Sequence, residues 1–561
     1  MSKSKKPGAQ AAQALDPALI VRRRRLAVAA FAFSGAAALM YEVLWTRELE
    51  LVFGSTVYAV SMMLAAFMSG LSLGAFLGGR WADRTSDLFA LFGKLELGVG
   101  VFGMLTLPLV QALPSLYFSV YDTLRPTFVL FFLVQLLLSF LIMLVPTTLM
   151  GATFPVVSKI NTTNLAELGR DVGNVYSINT LGSIAGSLLA GFLLIPLIGV
   201  KATTFAAAGL NVAVAAAMLT LGRSALTRRA LVAGIIGVTL AGGAAFAVEE
   251  VAYAHNFYRI GDFANYDEYV AYRESLETVF RAEDVHGRVM VYRGADGNLY
   301  LENSGKVEGS DSALDRQTTS LLALVPMASA PRIDRVLVVG LGTGLTTQAA
   351  LDAGAGLVDT VEINESVIEA AAYFVGDDVL GSERSVIHIA DARNYLAATD
   401  DEYDVITSEP SYPLSTHVSH LFTREFYRLV RSRLTPDGVF CQWIPRYLLT
   451  DDDTVMMIRT FAEVFPNVSI WGSNQGADEA VDMLLIGVND TTVPDATAVE
   501  AAVRSASPLD LDFGYFAGPT DVQALLADRP SPINTDDRPL LEFRTPRNQI
   551  ELFRAGGEAL R

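Results

Sequence analysis

A glycine-rich loop follows a short apolar run that ends at Val339. Glycine lets the backbone turn sharply and come close to a ligand, so a nucleotide can lie against such a loop. Many nucleotide-binding folds share this pattern, and the loop alone does not identify the ligand. The candidate ligand-binding residues of the loop are Gly340, Gly342, Thr343 and Gly344.

Two carboxylates follow the next two apolar runs. Glu362 ends the run that begins at Val358, about 20 residues past the glycines, where a carboxylate can accept both hydroxyls of a ribose. Asp391 and Ala392 follow the run that ends at Ile389, where an acid can accept from an adenine amino group. Ligand groups at the carboxyl ends of successive strands predict a nucleotide site at one sheet edge. The pattern indicates an adenosyl nucleotide of the S-adenosylmethionine type.

A dinucleotide is the rival ligand. Thr346 and Thr347 occupy the region where the third glycine of the G-x-G-x-x-G spacing would fall. The pair Asp391-Ala392 also suits an adenosyl group better than a nicotinamide. The remaining alternative is that Glu362 and Asp391 are ordinary turn acids.

Glu409 is the candidate catalytic residue. The fourth run, Tyr403 to Thr407, ends just before it, which places its carboxylate where the reactive group of the nucleotide should point. A carboxylate there can take a proton from an attacking amine. A sulfonium is already a good leaving group and needs no acid. The alternative is that Glu409 only caps the helix predicted over Phe422 to Leu434.

The order of strands, turns and helices predicts the fold class. From Arg335 the pattern repeats strand, turn and helix, which is typical of a parallel, doubly wound α/β sheet of the Rossmann-like, class I methyltransferase-like type. Residues 287–302 alternate as strand, turn and strand, which predicts a small N-terminal β-hairpin region. The expected divisions are a basic cytoplasmic tail (1–25), a membrane domain (26–249), a connector (250–284), a small β region (285–333), a nucleotide-binding catalytic domain (334–545) and a tail (546–561).

The first half of the chain predicts an α-helical, multi-pass membrane domain. Hydrophobic residues make up 51% of the sequence and mean hydropathy is +0.36. Each apolar run reaches the roughly 20 residues that a bilayer demands, which gives about seven spans. Small residues within the runs favour close helix packing in lipid. The runs cover residues 26–45, 55–79, 89–113, 127–150, 174–198, 202–221 and 230–248.

Basic loops predict the orientation of these spans. Arg80, Lys159 and Arg228 lie in alternate loops and, with the basic N-terminus, indicate the cytoplasmic side. Seven spans would then put the C-terminal domain outside, whereas the nucleotide is made in the cytosol, so the side of that domain stays open. Within the spans, Lys94 is expected to pair with Glu96 or a lipid head group.

Charge and cysteine content exclude several partners. The net charge of −18 makes nucleic acid an unsuitable partner. The single cysteine, Cys441, excludes a disulfide framework and a cysteine-based zinc site, and we expect no metal. The expected partners are a small amine substrate and the lipid bilayer of the cell membrane, while assembly with further copies of the chain is left open.

From Gly340 to Trp443 the chain resembles the spermidine synthase family, the polyamine aminopropyltransferases, and in particular its bacterial branch with a membrane domain. The resemblance implies transfer of an aminopropyl group from decarboxylated S-adenosylmethionine to a diamine, with release of methylthioadenosine. It also implies Glu362 for ribose, Asp391 for adenine and Glu409 in place of the catalytic aspartate. The matching stretches are Gly340–Gly344, Val361–Asn364, Asp391–Arg393, Tyr403–Pro413, Leu421–Tyr427, Gly438–Trp443, Tyr41–Arg47, Pro146–Pro155 and Asn534–Pro539.

The departures from the family concern the substrate. Thr343 stands where the family usually has an aspartate near the sulfonium side chain, and Tyr412 replaces the acid that would hold the amine. Lys306 and Glu308 stand in the upstream segment that normally supplies further amine-binding side chains. Lys306 puts a cation where a dication would have to enter. We therefore expect putrescine to be a poor acceptor, and a less cationic or anionic group to be favoured.

Three functions follow from these patterns. The first is a membrane-bound, spermidine synthase-like aminopropyltransferase. The second is an S-adenosylmethionine-dependent methyltransferase acting on an amine or a lipid-linked substrate, because the same sheet serves both reactions. The third, of another class, is a transporter or scaffold with a nucleotide-sensing domain. Intact or decarboxylated S-adenosylmethionine would separate the first two, and paired charges inside the spans would favour the third.

The basic loops generate a prediction about topology. A cysteine introduced at Thr85, next to the basic residues of its loop, should resist a membrane-impermeant thiol reagent in intact cells. It should react after the cells are opened, and the wild-type chain, with Cys441 alone, is the control. Labelling of position 85 in intact cells would contradict the orientation.

Overall fold

A computed structural model describes residues 17–124, 127–162, 164–222, 226–248, 263, 265–413, 415, 418–446, 449–473, 482–489 and 494–554. Outside this description lie residues 1–16 of the predicted N-terminal tail (1–25), residues 250–262 of the predicted connector (250–284) and residues 555–561 of the predicted C-terminal tail (546–561). The chain forms two compact units, one drawn from Met1–Trp45, Ala65–Leu109 and Phe140–Val248, the other from Thr46–Leu64, Val110–Ser139 and Glu249–Arg561.

Helices occupy all seven apolar runs in the described part of the chain before residue 249. Five helical stretches are long and apolar enough to cross a membrane, and Val232–Phe246 is a shorter apolar helix. Membrane insertion and the number of spans remain predictions, since length and composition alone identify these candidates. The helices are α1 (Pro17–Phe53), α2 (Val57–Arg84), α3 (Leu88–Leu124), α4 (Phe128–Asn161), α5 (Leu168–Leu189), α6 (Ile195–Leu221) and α7 (Leu226–Phe246).

The fifth and sixth predicted runs lie in one helical stretch, Leu165–Leu221. A π-helical turn, Ala190–Leu194, joins α5 to α6. Gly199 then breaks the helix with φ 76° and ψ 168°, a conformation that glycine adopts without a steric penalty. The break falls between the two runs, 174–198 and 202–221, that the sequence separates.

Small residues allow close contact between helices of the first unit, as predicted. A Cβ added to Gly182 would lie 1.9 Å from the backbone oxygen of Ala32, and one added to Gly186 would lie 2.2 Å from that of Ala36. The backbones of α5 and α1 therefore touch where these glycines stand. Gly151 of α4 meets Leu71 of α2 in the same way, at 2.1 Å.

Glu96 does not pair with Lys94, so the first expectation for that pair is wrong. Its carboxylate accepts hydrogen bonds from the hydroxyl of Ser34 at 2.5 Å and from Nδ2 of Asn211 at 2.8 Å, and all three side chains are buried. Lys94 is exposed. The two residues are two positions apart on α3 and point to different faces of the helix.

A four-stranded antiparallel sheet precedes the nucleotide-binding fold. Its strands are β1 (Glu277–Asp284), β2 (Gly287–Arg293), β3 (Leu299–Asn303) and β4 (Lys306–Ser310), paired in chain order. The predicted hairpin is formed by β2 and β3. Strand β1 follows the helix α8 (Tyr266–Glu274) and lies in the segment that was predicted to be a connector. Every residue of β1 is exposed or only partly buried, so this strand lacks the apolar alternation that marks a strand in sequence.

An eight-stranded mixed sheet forms the larger layer, in the order β12-β10-β11-β9-β8-β5-β6-β7. Its strands are β5 (Arg335–Val339), β6 (Leu357–Glu362), β7 (Ser385–Ile389), β8 (Tyr403–Ser408), β9 (Leu434–Pro445), β10 (Val468–Ser473), β11 (Asp482–Val488) and β12 (Phe513–Ala517). Strands β5 to β9 are parallel, as expected for a Rossmann-like fold. The prediction of a parallel sheet is wrong for the other three strands. Strand β11 pairs antiparallel with β9, β10 pairs antiparallel with β11, and β12 pairs antiparallel with β10.

Helices cover both faces of this sheet. Before it comes α9 (Ala313–Ser329), whose Leu321 and Leu322 pack on strands β9 and β11, so this helix belongs to the large sheet although the sequence placed it in the small β region. The remaining helices are α10 (Leu345–Asp352), α11 (Glu365–Val375), α12 (Asp377–Leu380), α13 (Ala392–Ala398), α14 (Arg424–Arg431), α15 (Asp451–Ala462), α16 (Ala496–Ala506), α17 (Pro519–Asp528) and α18 (Leu540–Arg554).

The contact between α1 and α5 generates a prediction about stability. Gly182→Ala places a methyl group inside the contact distance of the Ala32 carbonyl and should destabilise the protein by about 1–3 kcal/mol. Gly209→Ala is the matched control, since nothing lies within 4 Å of its added Cβ and alanine favours helix. Thermal unfolding in detergent should show a lower midpoint for the first variant only. Equal midpoints for the two variants would contradict the close contact.

Candidate active site

The glycine loop connects β5 to α10 through three left-handed residues. Gly340, Gly342 and Gly344 have φ values of 90°, 52° and 79°. A Cβ on Gly340 would lie 3.1 Å from the backbone oxygen of Glu409, which is tighter than a normal contact. The amide of Glu409 in turn donates to the carbonyl of Val339 at 3.2 Å. Only glycine lets the loop and the end of β8 come this close.

Glu362 lies at the end of β6 with its carboxylate turned into the loop. Oε2 accepts from the amide of Leu341 at 3.0 Å and Oε1 from the amide of Asn364 at 2.9 Å. The residue is 9% exposed, and burial raises the pKa of its carboxyl while the backbone hydrogen bonds oppose the rise. Backbone amides thus fix the carboxylate of Glu362 beside the glycine loop.

Asp391 stands at the same sheet edge, one strand further out. Glu362 and Ile389 are partners in the parallel register of β6 and β7, and Asp391 follows two residues later. Its Oδ1 accepts from the amide of Asn394 at 2.9 Å and caps α13, while Ala392 is 9% exposed and belongs to the main core. The carboxylate thus has a fixed position and remains partly exposed. The structure brings the predicted nucleotide residues to one edge.

Glu409 follows β8, in the centre of that edge. The hydroxyl of Thr346 donates to Oε2 at 3.0 Å, so a threonine at the start of α10 holds the carboxylate beside the loop. Burial raises the pKa of the Glu409 carboxyl to about 8, and the negative charges of Asp482 and Asp315 contribute to the rise. The hydrogen bond from Thr346 and the charge of Lys306 act in the opposite direction.

Two further acids belong to this site and were not predicted as site residues. Asp482 begins β11, where it accepts from the hydroxyl of Thr318 at 2.7 Å and from the indole of Trp443 at 3.0 Å. Burial raises the pKa of the Asp482 carboxyl, and the negative charge of Asp315 adds to the rise. Asp315 lies one turn before Thr318 on α9 and so shares its face. An acid at the head of the apolar run Met483 to Val488 is a signal that sequence reading could have used.

The predicted substrate residues Lys306, Glu308 and Tyr412 form one cluster. Lys306 and Glu308, on β4, are ion-paired, and the ammonium of Lys306 lies 3.8 Å from the centre of the Tyr412 ring. The other oxygen of Glu308 accepts from the hydroxyl of Ser411 at 3.0 Å. Because Glu308 compensates the charge of Lys306, this lysine gives no support to an anionic substrate group.

Thr343 lies on the side of the loop that faces β4. It is 5% exposed, and a Cβ on Gly309 would meet its methyl group at 3.2 Å. Among the described residues, no group of three histidine, cysteine, aspartate or glutamate side chains is arranged to hold a metal ion. The arrangement combines a nucleotide cradle with a carboxylate of raised pKa and further acids that favour a bound cation.

Comparison with known proteins matches the same region to a family model. Residues 316–472 match the model of the spermine/spermidine synthase domain. A polyamine aminopropyltransferase of Oceanobacillus iheyensis is 25% identical over 411 residues, covering 71% of this chain and 73% of the relative. Polyamine aminopropyltransferase 2 of Streptomyces coelicolor is 28% identical over 431 residues, covering 74% and 73%.

Among solved structures, the crystal structure of spermidine synthase from Thermotoga maritima is similar at 21% identity, with a TM-score of 0.37, covering 45% of this chain and 88% of that one. The matched family segment runs from α9 to β10 and therefore contains the glycine loop, Glu362, Asp391 and Glu409. Residues 316–472 thus match the spermine/spermidine synthase domain, and the chain is similar to polyamine aminopropyltransferases over more than two thirds of its length.

Proposed function

We propose that this protein is a membrane-bound aminopropyltransferase that moves an aminopropyl group from decarboxylated S-adenosylmethionine to an amine. The observation that carries the proposal is the position of Glu409, a carboxylate of raised pKa that adjoins the glycine loop and interacts electrostatically with two further acids. The nucleotide would lie along the strand edge, with Glu362 at its ribose and Asp391 at its adenine. Its sulfonium side chain would then extend past Thr343 towards Glu409.

The reaction at this site is a displacement at carbon. The lone pair of the acceptor nitrogen forms a bond to the aminopropyl carbon next to the sulfonium, and the carbon–sulfur bond breaks. Its electron pair stays on sulfur, so methylthioadenosine leaves as a neutral thioether. The proton lost by the acceptor nitrogen goes to the carboxylate of Glu409. A positioned base of this kind contributes typically 10²–10⁴-fold to the rate.

The charges around Glu409 support an amine as acceptor. Asp315 and Asp482 both raise the proton affinity of Glu409, which shows that the three carboxylates lie within electrostatic reach of one another. A cation that enters this cluster is attracted by all three and stabilises the ionised form of Glu409. The approach of the substrate therefore prepares the base that accepts its proton.

The negative charges of Asp315, Glu409 and Asp482 also favour the decarboxylated form of the nucleotide. Intact S-adenosylmethionine carries a carboxylate on its side chain and needs a donor near Thr343 to bind it. Thr343 faces Gly309 of β4, and the nearest charged side chains further along that strand are Glu308 and its partner Lys306. An S-adenosylmethionine-dependent methyltransferase would have to bind the carboxylate of the intact nucleotide next to a cluster of acidic side chains.

Contacts within the second unit support a location of this site close to the membrane. The end of α1 and the turn that follows it belong to that unit. Arg47 donates to the carbonyls of Asp284 and Val285 at 2.6 and 2.9 Å, and Glu48 pairs with Arg288 at 2.9 Å. The 431-residue match to the Streptomyces relative exceeds the whole segment after residue 249, so the similarity extends into the apolar helices.

Removal of the Glu362 carboxylate tests the nucleotide site. Its charge-assisted hydrogen bonds to a ribose are worth about 1.5–3 kcal/mol, so Glu362→Ala should weaken methylthioadenosine binding at least about tenfold. Glu369→Ala is the matched control, because Glu369 is exposed on the same segment. Calorimetric titration of the purified full-length protein gives both affinities. An unchanged affinity of Glu362→Ala for methylthioadenosine would show that Glu362 does not bind the nucleotide.

Glu409→Gln tests the base. The variant keeps the shape of the side chain but accepts no proton, so turnover with any accepted amine should fall about 10²–10⁴-fold while methylthioadenosine still binds. Glu402→Gln, an exposed acid before the same strand, should leave turnover unchanged. Release of methylthioadenosine from decarboxylated S-adenosylmethionine is the measurement. Full activity of Glu409→Gln would contradict the role of Glu409 as the base.

The raised pKa gives that variant a second readout that does not depend on activity. The pKa of Glu409 is about 8 in the folded protein against an ordinary value of 4.5, so the folded state binds the proton more tightly. Ionisation of Glu409 therefore costs stability as the pH rises from about 4.5 to 8. The thermal midpoint of Glu409→Gln should exceed that of the wild type by more at pH 9 than at pH 5. A difference that is independent of pH would contradict the shift.

A further inference from the structure

Lys306 lies inside the amine side of the active site. Its side chain is 16% exposed, and burial lowers the pKa of its ammonium while Glu308, Glu409 and Asp315 oppose this change. The ammonium is bonded to Glu308 and lies 3.8 Å from the centre of the Tyr412 ring. A carboxylate and an aromatic face are together the surroundings that bind an organic ammonium ion.

The groups around this ammonium are held in place independently of Lys306. Glu308 accepts a hydrogen bond from Ser411 at 3.0 Å, which fixes the carboxylate to the loop that follows Glu409. The Tyr412 ring stacks on Trp443, with ring centres 6.4 Å apart and planes 21° from parallel. Trp443 also donates to Asp482. The ammonium site is therefore built into the same framework as the acid cluster.

Glu409 and Asp482 have neutral hydrogen-bond donors instead. Thr346 donates to Glu409, and Thr318 and Trp443 donate to Asp482. These two carboxylates thus remain suited to the reacting amine of an acceptor. The site offers two places for an ammonium ion, one beside Glu409 and one between Glu308 and Tyr412, and the chain fills the second with its own lysine.

We propose that Lys306 occupies the subsite for a distal ammonium, so that the acceptor is a monoamine whose far end carries no positive charge. The inference deepens the proposed aminopropyl transfer and rests on it for the identity of the reacting site. A diamine has to displace the lysine ammonium from Glu308 and Tyr412, and it gains there only what the lysine loses. An acceptor with a neutral far end leaves Lys306 in place.

Binding of two amines of equal length tests the proposal without catalysis. Full-length protein saturated with methylthioadenosine is titrated with 1-aminobutane and with 1,4-diaminobutane. In the wild type the diamine should bind no tighter than the monoamine. In Lys306→Ala, which empties the subsite, the diamine should bind at least about tenfold tighter than the monoamine, as expected for a new charge-assisted hydrogen bond. Tenfold or stronger preference of the wild type for the diamine would overturn the proposal.

Two matched variants separate the subsite from other effects of the substitution. Lys306→Arg keeps a cation over the ring and should retain the wild-type ratio of affinities. Lys306→Ala combined with Glu308→Gln removes the carboxylate and should lose the gain for the diamine. An unchanged ratio in Lys306→Ala, or a gain that survives loss of Glu308, would refute the subsite.

The same preparations distinguish this inference from the proposed function. Release of methylthioadenosine from decarboxylated S-adenosylmethionine is measured with both amines. Binding ratios as expected without any release would leave the ammonium subsite standing and reject aminopropyl transfer. Release with a wild-type preference for the diamine would keep aminopropyl transfer and reject the monoamine acceptor.

Discussion

The gathering of three buried or partly buried carboxylates, Asp315, Glu409 and Asp482, is the constraint on which the active site depends. Glu409 and Asp482 are both buried enough that the charged form is disfavoured, and Asp315 raises the proton affinity of each. Lys306 opposes this effect at Glu409, but its ammonium is already bonded to Glu308. A cluster of this kind costs the fold stability, because the desolvation of each charge is not fully offset. Under the proposed function, a bound ammonium ion would supply the missing positive charge, so the charges that destabilise the free protein would also attract the amine.

The sheet and its helices hold the three carboxylates in place. The three acids come from α9, from the end of β8 and from the start of β11, which are far apart in the sequence. Thr346, Thr318 and Trp443 donate to two of the carboxylates and fix their positions without neutralising them. These donors stand on buried elements, since Thr346 is 2% and Trp443 is 8% exposed. A rigid second layer of neutral donors keeps charged groups ready for a ligand.

The end of α1 and the turn that follows it contact segments next to the site, all within the second unit. Arg47 donates to the carbonyl of Asp284, and the carboxylate of Asp284 accepts from the hydroxyl of Ser366 at 2.6 Å. Ser366 belongs to α11, the helix that begins just after Glu362. Ser55, in the same turn, lies 3.1 Å from Ser415 in the loop after Glu409. The segment from Arg47 to Ser55 thus contacts the end of β1 and the loop after Glu409.

Local sequence determined the elements whose pattern is complete within a short window. The apolar runs, the glycine loop and the strands that end at Glu362, Ile389 and Ser408 could all be predicted, because period, glycine and strand-end acids are local signals. The position of the nucleotide residues followed as well, since parallel strands share one carboxyl edge. The antiparallel pairing of β10 to β12 and the exposed strand β1 were missed, because pairing depends on neighbours distant in the chain.

Only the tertiary structure decided the chemistry of the amine side. Asp482 and Asp315 have no motif that links them to Glu409, and they interact with it electrostatically only because α9 packs against both β8 and β11. The same packing pairs Lys306 with Glu308 under Tyr412, which turns an apparent free cation into the occupant of an ammonium site. Residue types and spacing thus predicted where a nucleotide would bind. The charge that its reaction partner meets depends on contacts between distant segments, because electrostatic energy is set by distance and burial in space.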